Sequence, residues 1–498
     1  MLLFWPLVIP FLTMVATLFA WRSIRTQRAL SLLGAAALLA VALVILTRVI
    51  ADGPFAEQAG AWPAPFGITM VADGLSAAMI TLTGLVALAA AVFGLQDVSD
   101  GEARSGHHPL ANALLAGVCG AFLTGDLFNM YVWFEVMLIS SFGLLVIGGR
   151  KAALDGATKY VGLNLIATVA FISGVGLLYG TTGALNMADL HGRLAGRGGE
   201  AGILMATGLI IFAFGAKAAL FPLHFWLPAS YHTPSFTTSA LFAALLTKVG
   251  VYALIRYFTL ILPIADTPAQ PALLWIGGFT ILAGALGALA QSGVRRVLNY
   301  SIMSSIGAMI LGLALATPLA LVGAVFYLAQ DMIVKANLYL VAGSARRLAG
   351  SEDFAEAGGL WRAAPWLAAL FLVPALSLAG VPPFSGFWAK LILTRASLEA
   401  GGYWCAALIL GSGLMTLLAM ARIFAEMFWK SHPEGDVAAG GRLPAAAWAP
   451  LVALSLLIAG AGIFAAPGVE ASEAIARNLL APDAYLAAVL GPGAEVRP

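Results

Sequence analysis

Long apolar runs dominate the chain from its first residues to about residue 467, and short polar or charged segments separate them. A run of about 18 or more apolar residues is long enough to cross a lipid bilayer as an α-helix. The pattern therefore predicts an all-α polytopic membrane protein with about fourteen transmembrane helices. The expected spans lie near residues 1–20, 29–50, 70–95, 110–124, 127–148, 160–180, 203–229, 237–262, 271–291, 298–315, 318–343, 364–397, 403–430 and 447–467.

Composition supports a lipid-embedded chain without a cofactor. Hydrophobic residues make up 61% of the 498 residues and charged residues 10%. The formal net charge of +2 gives no reason to expect a nucleic-acid partner. The two cysteines, Cys119 and Cys405, both fall inside apolar segments and form no disulfide framework, metal-ligand spacing or haem motif.

Basic residues concentrate in alternate loops, which favours one orientation in the membrane. Loops rich in arginine and lysine prefer the cytoplasmic side. The loops between them are poorer, except 181–202, which also contains acidic residues. The pattern predicts a protein of the bacterial cell membrane with both termini on the outer side. The basic loop residues are Arg22, Arg25, Arg28, Arg150, Lys151, Arg295, Arg296, Arg346, Arg347 and Arg362.

Two apolar windows, 203–229 and 364–397, are too long for one straight span and contain prolines. Proline inside a helix removes a backbone hydrogen bond and breaks or kinks the helix. Backbone groups freed at membrane depth must face protein or a water-filled cavity. Two broken helices, each beside a hydrated site, are therefore predicted. The residues expected at the breaks are Pro222, Pro382, Pro383 and Gly386.

Five ionisable side chains fall well inside the predicted spans: Glu135, Lys217, Lys248, Lys335 and Lys390. Each would cost about 2.5–3.5 kcal/mol at a helix centre, so each must be paired, hydrated or turned to the interior. Desolvated lysine, unlike arginine, can release its proton near physiological pH, and a nearby carboxylate opposes that release. A proton relay is the favoured interpretation, with Glu135 beside Lys217 as its modulating pair; interhelical ion pairing alone is the alternative.

Three further polar residues could extend the relay. His224 and His232 follow the first break, and histidine titrates near neutrality, so each could transfer protons or be a satisfied interfacial side chain. Asp126 precedes the span of Glu135 and could contact cations at a mouth or cap the helix. Three basic residues are expected instead to extend their charge to the membrane interface: Arg256, Arg422 and Lys430.

Four segments give the chain a specific family resemblance: GDLFNMYVWFEVMLISSFGLL, FGAKAALFPLHFWLP, SALFAALLTKVGVYAL and GVPPFSGFWAKLIL. They resemble the shared core of the antiporter-like subunits, which occur in Mrp-type multisubunit monovalent-cation/proton antiporters and in the membrane arm of respiratory complex I. The resemblance covers about residues 60–430. Within that group the chain is most similar to the D-type subunits of Mrp antiporters.

The resemblance implies an architecture and roles for the buried charges. Three N-terminal helices in 1–109 would precede two inverted five-helix repeats, in 110–262 and 271–430, and a C-terminal helix and tail in 447–498. Glu135 and Lys217 would be the coupled pair, Lys248 the central lysine and Lys390 the terminal lysine of the channel.

Two segments depart from the family pattern. Near Lys335, where relatives often carry histidine, this chain has Tyr327, Gln330 and Asp331. After the first break, where relatives often carry an acidic residue, it has Ala229. The family's histidine-containing relay near Lys335 and its acidic proton acceptor after the first break are therefore not assigned to this chain.

The resemblance implies a proton-translocating subunit that works with partner subunits to exchange protons for Na⁺ or K⁺. The alternative is a proton-pumping membrane subunit of a complex I-type or hydrogenase-type redox complex, in which another subunit performs the electron transfer. Neither function makes this chain an enzyme. A structural scaffold is disfavoured by the buried charges, and a stand-alone solute carrier by the lack of a mixed polar and aromatic recognition pocket.

Overall fold

Helices form nearly all of the computed structural model, which describes residues 1–433, 435 and 443–491. In chain order they are α1 (Leu2–Phe19), α2 (Ile24–Asp52), α3 (Gly74–Asp97), α4 (Asp100–Arg104), α5 (His107–Leu123), α6 (Leu127–Val146), α7 (Lys151–Thr182), α8 (Met187–Leu194), α9 (Ala201–Ala218), α10 (Trp226–Ser230), α11 (Phe236–Ile261), α12 (Ala269–Leu289), α13 (Val294–Ala314), α14 (Pro318–Ala349), α15 (Leu360–Ala363), α16 (Pro365–Ala379), α17 (Ser385–Glu399), α18 (Tyr403–Trp429), α19 (Ala445–Ile463), α20 (Ala465–Leu480) and α21 (Asp483–Leu490).

Twelve helices in the described ranges are long and apolar enough to cross a membrane: α1–α3, α6, α7, α9, α11–α14, α18 and α19. The prediction of an all-α multi-pass membrane protein is therefore confirmed. The count of fourteen stays a prediction, because α5 has only 17 residues and the window 364–397 is divided between α16 and α17. The inverted repeats, their boundaries and the side on which the termini lie also stay predictions.

Three helices form the interior of the bundle. The apolar window of α11 is 100% buried, that of α13 94% and that of α14 83%, whereas that of α1 is 22% buried. A helix that is apolar on all sides is expected either in such an interior or in lipid. Small residues allow neighbouring helices to approach these interior helices closely. For example, a Cβ added at Gly250 of α11 would lie 2.6 Å from the backbone nitrogen of Ala218 in α9.

The two predicted helix breaks are both present. Helix α9 ends at Ala218, the next residue has a left-handed backbone, and Pro222 lies in the connector before α10. Helix α16 ends at Ala379, and Pro382 and Pro383 lie in the connector before α17. The placement of Gly386 at the break is wrong, because it is the second residue of α17. A Cβ there would lie 1.8 Å from the carbonyl oxygen of Ser377, so glycine permits close packing of the two half-helices.

Several short elements lie between or at the ends of the predicted spans, and β2 replaces the first residues of the span expected at 70–95. Strands β1 (Phe55–Gln58) and β2 (Thr69–Ala72) form an antiparallel pair between α2 and α3. After α19 the chain continues as α20, which packs against α14, and then as α21. The last residues of the predicted C-terminal tail, 492–498, lie outside the described residues.

Candidate functional site

A carboxylate that lies between two lysines is at the centre of the bundle. Asp331 and Lys335 are one turn apart on α14, so their side chains share a face of the helix. The Lys248 Nζ lies 2.8 Å from Asp331 Oδ2, and the Lys335 Nζ lies 4.0 Å from Asp331 Oδ1. All three side chains are fully buried, at 0% exposure. Because one anion faces two potential cations, the charge state of one lysine affects the energy of the other.

The backbone of α11 also binds Lys248. A π-helical turn over Phe242–Leu246 precedes the lysine. Its Nζ donates to the carbonyl oxygen of Ala243 at 2.7 Å. Single π-turns within α-helices change the backbone hydrogen bonding and often occur at functional sites. The turn thus gives the lysine a second acceptor beside Asp331.

Lys335 has a partner of its own, on α13. Its Nζ donates to Ser301 Oγ at 2.7 Å. Asp331 receives no hydrogen bond from a hydroxyl or amide group in the part of the chain that the structure describes. Its charge is therefore balanced mainly by the two lysines. An anion held in this way can move toward one lysine only by moving away from the other.

Lys217 and Glu135 are close enough to attract each other but form no direct ion pair among the described residues. Glu135, partly exposed at the surface of α6, accepts a hydrogen bond of 2.6 Å from Thr168 of α7. The Lys217 Nζ lies 5.7 Å from the centroid of the Phe134 ring. Their coupling therefore acts through space, with the carboxylate held by a hydroxyl group.

A small cavity connects the surroundings of Lys217 with α11. Its polar lining comes from Tyr160 and Asn164 of α7, and its far wall is formed by Leu246 and Val249, the neighbours of Lys248. The Asn164 Oδ1 is buried without a hydrogen-bond partner within the described ranges. The cavity therefore lies between Lys217 and the segment that carries Lys248.

Both breaks place a lysine at the carboxyl end of a half-helix. Lys390 of α17 donates from Nζ to the carbonyl oxygens of Leu378 and Ala379, each at 2.9 Å, at the end of α16. Lys217 lies in the last turn of α9. Carbonyl groups at a helix end lack intrahelical partners and carry partial negative charge, which stabilises a cation. A break thus provides a lysine at membrane depth with a partial counter-charge.

The two histidines occupy different surroundings. The His224 ring stacks on Phe221 with 5.7 Å between the centroids, and its Nδ1 has no hydrogen-bond partner among the described residues. The His232 Nδ1 lies 2.8 Å from the carbonyl oxygen of Pro228, and the ring lines a polar surface cavity with Arg295 and Arg296. Burial and the Arg296 guanidinium lower the pKa of His232. Neither histidine is bonded to a relay lysine, and their relay roles stay predictions.

Asp126 acts as a helix cap. It is the N-cap of α6, and its Oδ1 accepts from the backbone nitrogen of Asn129 at 2.8 Å. Across the described part of the chain, no group of three or more His, Cys, Asp or Glu residues could hold a metal ion. The capping interpretation accounts for the aspartate, and its transient cation contact stays a prediction.

The expectation that Arg256 extends to the membrane interface is wrong. Its side chain is only 4% exposed and binds Asp73 through two contacts, Nη1 to Oδ2 at 2.7 Å and Nη2 to Oδ1 at 2.9 Å. Asp73 is also the N-cap of α3, where it accepts from the backbone nitrogen of Ser76 at 2.9 Å. The partner lies on a distant helix, so the sequence near Arg256 does not reveal it. Arg422 and Lys430 donate to the carbonyl oxygens of Leu289 and Phe354.

Asp331 is the buried charged residue of this site that the sequence interpretation did not include among its candidates. It lies in an apolar segment four residues before Lys335, a spacing that places a carboxylate and an ammonium on one helix face. The same test that selected the lysines would have selected it. Its contact with Lys248 needed the tertiary structure.

Comparison with known proteins gives consistent results. Residues 124–416 match the family model described as NADH:quinone oxidoreductase/Mrp antiporter, TM. The chain is 40% identical over 491 residues to the D-type subunit of the Na⁺/H⁺ antiporter of Alkalihalophilus pseudofirmus, covering 97% of this chain and 98% of that protein. A chain of the Mrp complex from Dietzia sp. is similar in structure, with a TM-score of 0.89 and 33% identity over 98% of this chain and 99% of that chain.

A chain of respiratory complex I from Thermus thermophilus has a TM-score of 0.82 and 27% identity, over 96% of this chain and 100% of that chain. The family model alone covers more than half of the sequence, and the relatives match it from end to end. This chain belongs to the NADH:quinone oxidoreductase/Mrp antiporter family of membrane subunits.

Proposed function

We propose that this chain is the proton-translocating subunit of a multisubunit Na⁺(K⁺)/H⁺ antiporter, and thus a secondary active transporter subunit rather than an enzyme. The end-to-end similarity to the D-type subunit of a Na⁺/H⁺ antiporter and to a chain of an Mrp complex supports this function. The basic loops support an orientation in the bacterial cell membrane with both termini outside.

The observation that carries the proposal is the carboxylate shared between Lys248 and Lys335. When Asp331 is close to Lys248, it stabilises the ammonium form of that lysine. When the carboxylate moves toward Lys335, Lys248 keeps a buried charge with less compensation and releases its proton more easily. Movement of one side chain thus exchanges the proton affinities of two lysines, which is the elementary step of a relay.

The remaining charges continue the relay in both directions. Lys217, modulated by Glu135, would exchange protons with Lys248 through the cavity lined by Asn164. Lys390 would be the terminal site, since its Nζ binds carbonyl oxygens at the end of α16 and, within the described residues, forms no direct ion pair with a carboxylate. His224 and His232 would connect the first break with the surface, His232 through its polar cavity.

Glu135 gives the relay a point of contact with partner subunits. It is partly exposed on a chain whose relatives are subunits of larger complexes. A carboxylate that remained exposed to lipid would be costly. We therefore infer that a neighbouring subunit covers Glu135 and that its state reaches Lys217 through this carboxylate.

The test uses inverted membrane vesicles that contain the full complex, with a pH-sensitive dye that reports the response to added Na⁺. Wild type is compared with Lys217→Ala and Glu135→Ala, after assembly of each complex is confirmed. Lys159→Ala is the matched control, because this lysine forms an exposed i,i+4 pair with Asp155 and has 49% exposure.

The expected result is a Na⁺-dependent loss of the pH gradient in wild type and Lys159→Ala but not in the other two variants. If wild type shows no cation response and an electron donor instead builds a gradient that depends on Lys217, the chain serves a redox pump. If both relay variants transport like wild type, the buried charges are structural and the proposed mechanism is rejected.

A further inference from the structure

A further cavity lies away from the lysines, between α2, α3, α5 and α11; nine of its fifteen lining residues are apolar or glycine, and the other six are polar. Its polar lining residues are Arg28, Ser31, His107, His108, Asn112 and Thr237. The cavity volume of about 40 Å³ exceeds the roughly 10–15 Å³ that one water needs. Its polar side chains provide the partners that a bound water needs, and none of the residues of the proposed relay lines it.

His108 places an unused nitrogen in this cavity. Its side chain is 7% exposed, and its Nδ1 lies 3.1 Å from Ser31 Oγ. Asn112 fixes the same serine by donating from Nδ2 to Ser31 Oγ at 3.2 Å. The His108 Nε2 is buried with no partner in the described residues. A histidine that served only to join helices would be expected to have both nitrogens bonded, so Nε2 is available to a water molecule in the cavity.

Asp97 lies between this inner cavity and the surface. Its Oδ2 accepts from the backbone nitrogen of Thr237 at 2.7 Å and from Thr237 Oγ1 at 2.8 Å, and Thr237 lines the inner cavity. On its other side Asp97 lines an open surface cavity of about 330 Å³ together with Arg346 and Arg347. The adjacent Gln96 also lines that cavity, and its side-chain nitrogen and oxygen have no partners within the described ranges.

We propose that Asp97 and His108 form a proton-exchange site that connects the arginine-rich side of the membrane with the interior helix α11. The proton passes between water in the surface cavity, the Asp97 carboxylate, water in the inner cavity and the His108 Nε2; only the proton moves, and each step is reversible. The inner cavity reaches Leu241 of α11, seven residues and about 10.5 Å along the axis from Lys248. The site rests on the proposed function, for which it provides one route to the solution.

Burial lowers the pKa of His108 to about 3, and its charged neighbours add to this effect, so the site favours brief exchange over storage of the proton. His108 faces Arg28 from α2 and His107 from α5, so a protonated imidazole would lie beside like charge or potential like charge. Asp97 interacts with Glu102 of α4 and with Arg295 of α13, and Arg347 of α14 binds the carbonyl oxygen of its neighbour Gln96. Asp100 pairs with Arg28 at 3.2 Å and partly balances that cation.

The first test measures Na⁺-driven proton movement across a pH series in vesicles that contain the full complex, for His108→Gln, His108→Leu and Asp97→Asn. Glutamine can keep the hydrogen bond to Ser31 but cannot take up and pass on a proton. The control is His191→Gln, since the His191 Nδ1 lies 2.6 Å from the carbonyl oxygen of Leu260, away from the cavity.

The expected result is transport slowed by about tenfold or more in His108→Gln and Asp97→Asn, with a flatter pH dependence in Asp97→Asn. If His108 is purely structural, His108→Gln should transport at the wild-type rate and His108→Leu should transport more slowly. That result would overturn the proposal. Normal transport in all three variants, together with an inactive Lys217→Ala, would reject the site and leave the proposed function intact.

The second test measures hydration of the cavity and does not depend on transport. In a background without Cys119 and Cys405, a small thiol reagent is added to complexes with Ala90→Cys or Ala285→Cys. Both alanines are 2% exposed, but only Ala90 lines the inner cavity. Faster labelling of Ala90→Cys supports a hydrated route, and equal, slow labelling of both overturns it, whether or not wild type responds to Na⁺.

Discussion

Lys248 of α11 and Asp331 of α14 form a 2.8 Å ion pair that is fully buried at the centre of the bundle. The same carboxylate lies 4.0 Å from Lys335. Removal of two charges from water is costly unless their geometry compensates for the lost hydration. Here a third charge competes for the same anion, so the arrangement favours change of protonation over a fixed structural pair.

Asp331→Asn is expected to abolish most transport without preventing assembly. The substitution leaves two buried lysines without an anion, which would cost about 3–5 kcal/mol if both stayed charged. Lysine can instead lose its proton, which lowers that cost. Both lysines would then remain neutral, and proton movement should fall at least about tenfold. Dye-monitored Na⁺/H⁺ exchange in vesicles with the full complex provides the measurement.

The matched control for Asp331→Asn is Asp155→Asn, which removes an aspartate of 62% exposure from the surface pair with Lys159. Its transport should equal that of wild type. Asp331→Glu keeps the anion and should retain partial activity. Wild-type exchange in Asp331→Asn would show that Lys248 and Lys335 do not depend on the shared carboxylate.

Thr168→Val is expected to reduce transport, by less than Glu135→Ala. Valine keeps the shape of threonine but removes the hydroxyl that donates to Glu135 at 2.6 Å. A hydrogen bond to a charged group contributes about 1.5–3 kcal/mol. Without it the carboxylate is free to approach Lys217 and hold that proton more firmly. Exchange rates in vesicles should fall by about tenfold, which corresponds to the lower end of that energy range.

Thr168→Ser restores a hydroxyl and should recover most of this loss. Thr158→Val serves as the control, because Thr158 lies on the same helix but is exposed and bonds only the carbonyl oxygen of Leu154. If Thr168→Val, Thr168→Ser and wild type transport equally, the hydroxyl does not hold Glu135 in a functional position.

The sequence was sufficient to predict the features that depend on local composition. Apolar windows gave the spanning helices, and prolines gave the breaks at Pro222 and at Pro382–Pro383, because both signals are contained in a short stretch of chain. Lysines within apolar runs identified α9, α11, α14 and α17 as helices that carry ionisable side chains inside the bundle, since a charged residue is conspicuous in any such run.

Features that depend on contacts between distant segments were not predictable in this way. The partner of Arg256 is Asp73, which is on another helix and also has a local role as a cap. The role of Gly386 follows from the nearby Ser377 backbone rather than from the break. Asp331 was visible in the sequence, but its contact with Lys248 depends on how α11 and α14 pack.

Gly386→Ala is expected to destabilise the second broken helix. The added Cβ would lie 1.8 Å from the carbonyl oxygen of Ser377, a rigid backbone atom. The two half-helices would have to separate, and the carbonyl oxygens of Leu378 and Ala379 that bind Lys390 would move with α16. Overpacking costs about 1–3 kcal/mol or more. Thermal unfolding of the purified complex should show a lower Tm, together with weaker transport.

Gly411→Ala is the control, since a Cβ at that position on α18 would meet no atom within 4 Å. The alanine there should leave the Tm unchanged or raise it slightly, because alanine favours helix. Equal Tm values for Gly386→Ala and Gly411→Ala would show that α16 and α17 can separate without cost.

Loss of either member of the buried Asp73–Arg256 ion pair, which has contacts of 2.7 and 2.9 Å, is expected to destabilise the fold strongly. Asp73→Asn keeps the side-chain oxygen that caps α3 but removes the charge, so it isolates the ion pair from the cap. Loss of one member of a buried pair costs about 3–5 kcal/mol, because the other charge remains uncompensated. The double variant Asp73→Asn with Arg256→Gln leaves no unpaired charge and should be more stable than either single variant.

Thermal unfolding of the complex in detergent would measure all three variants as a double-mutant cycle. The exposed pair of Arg395 and Glu399, with 70% and 53% exposure, gives a reference cycle. A surface pair of this kind contributes about 0–1 kcal/mol, so its single variants should barely change the Tm. The pair hypothesis is rejected if the Tm changes of the Asp73 and Arg256 variants are additive and no larger than those of the Arg395 and Glu399 variants. Such a result would mean that another group balances the charge of Arg256. In that case a group other than Asp73 must stabilise the buried guanidinium in the last part of α11.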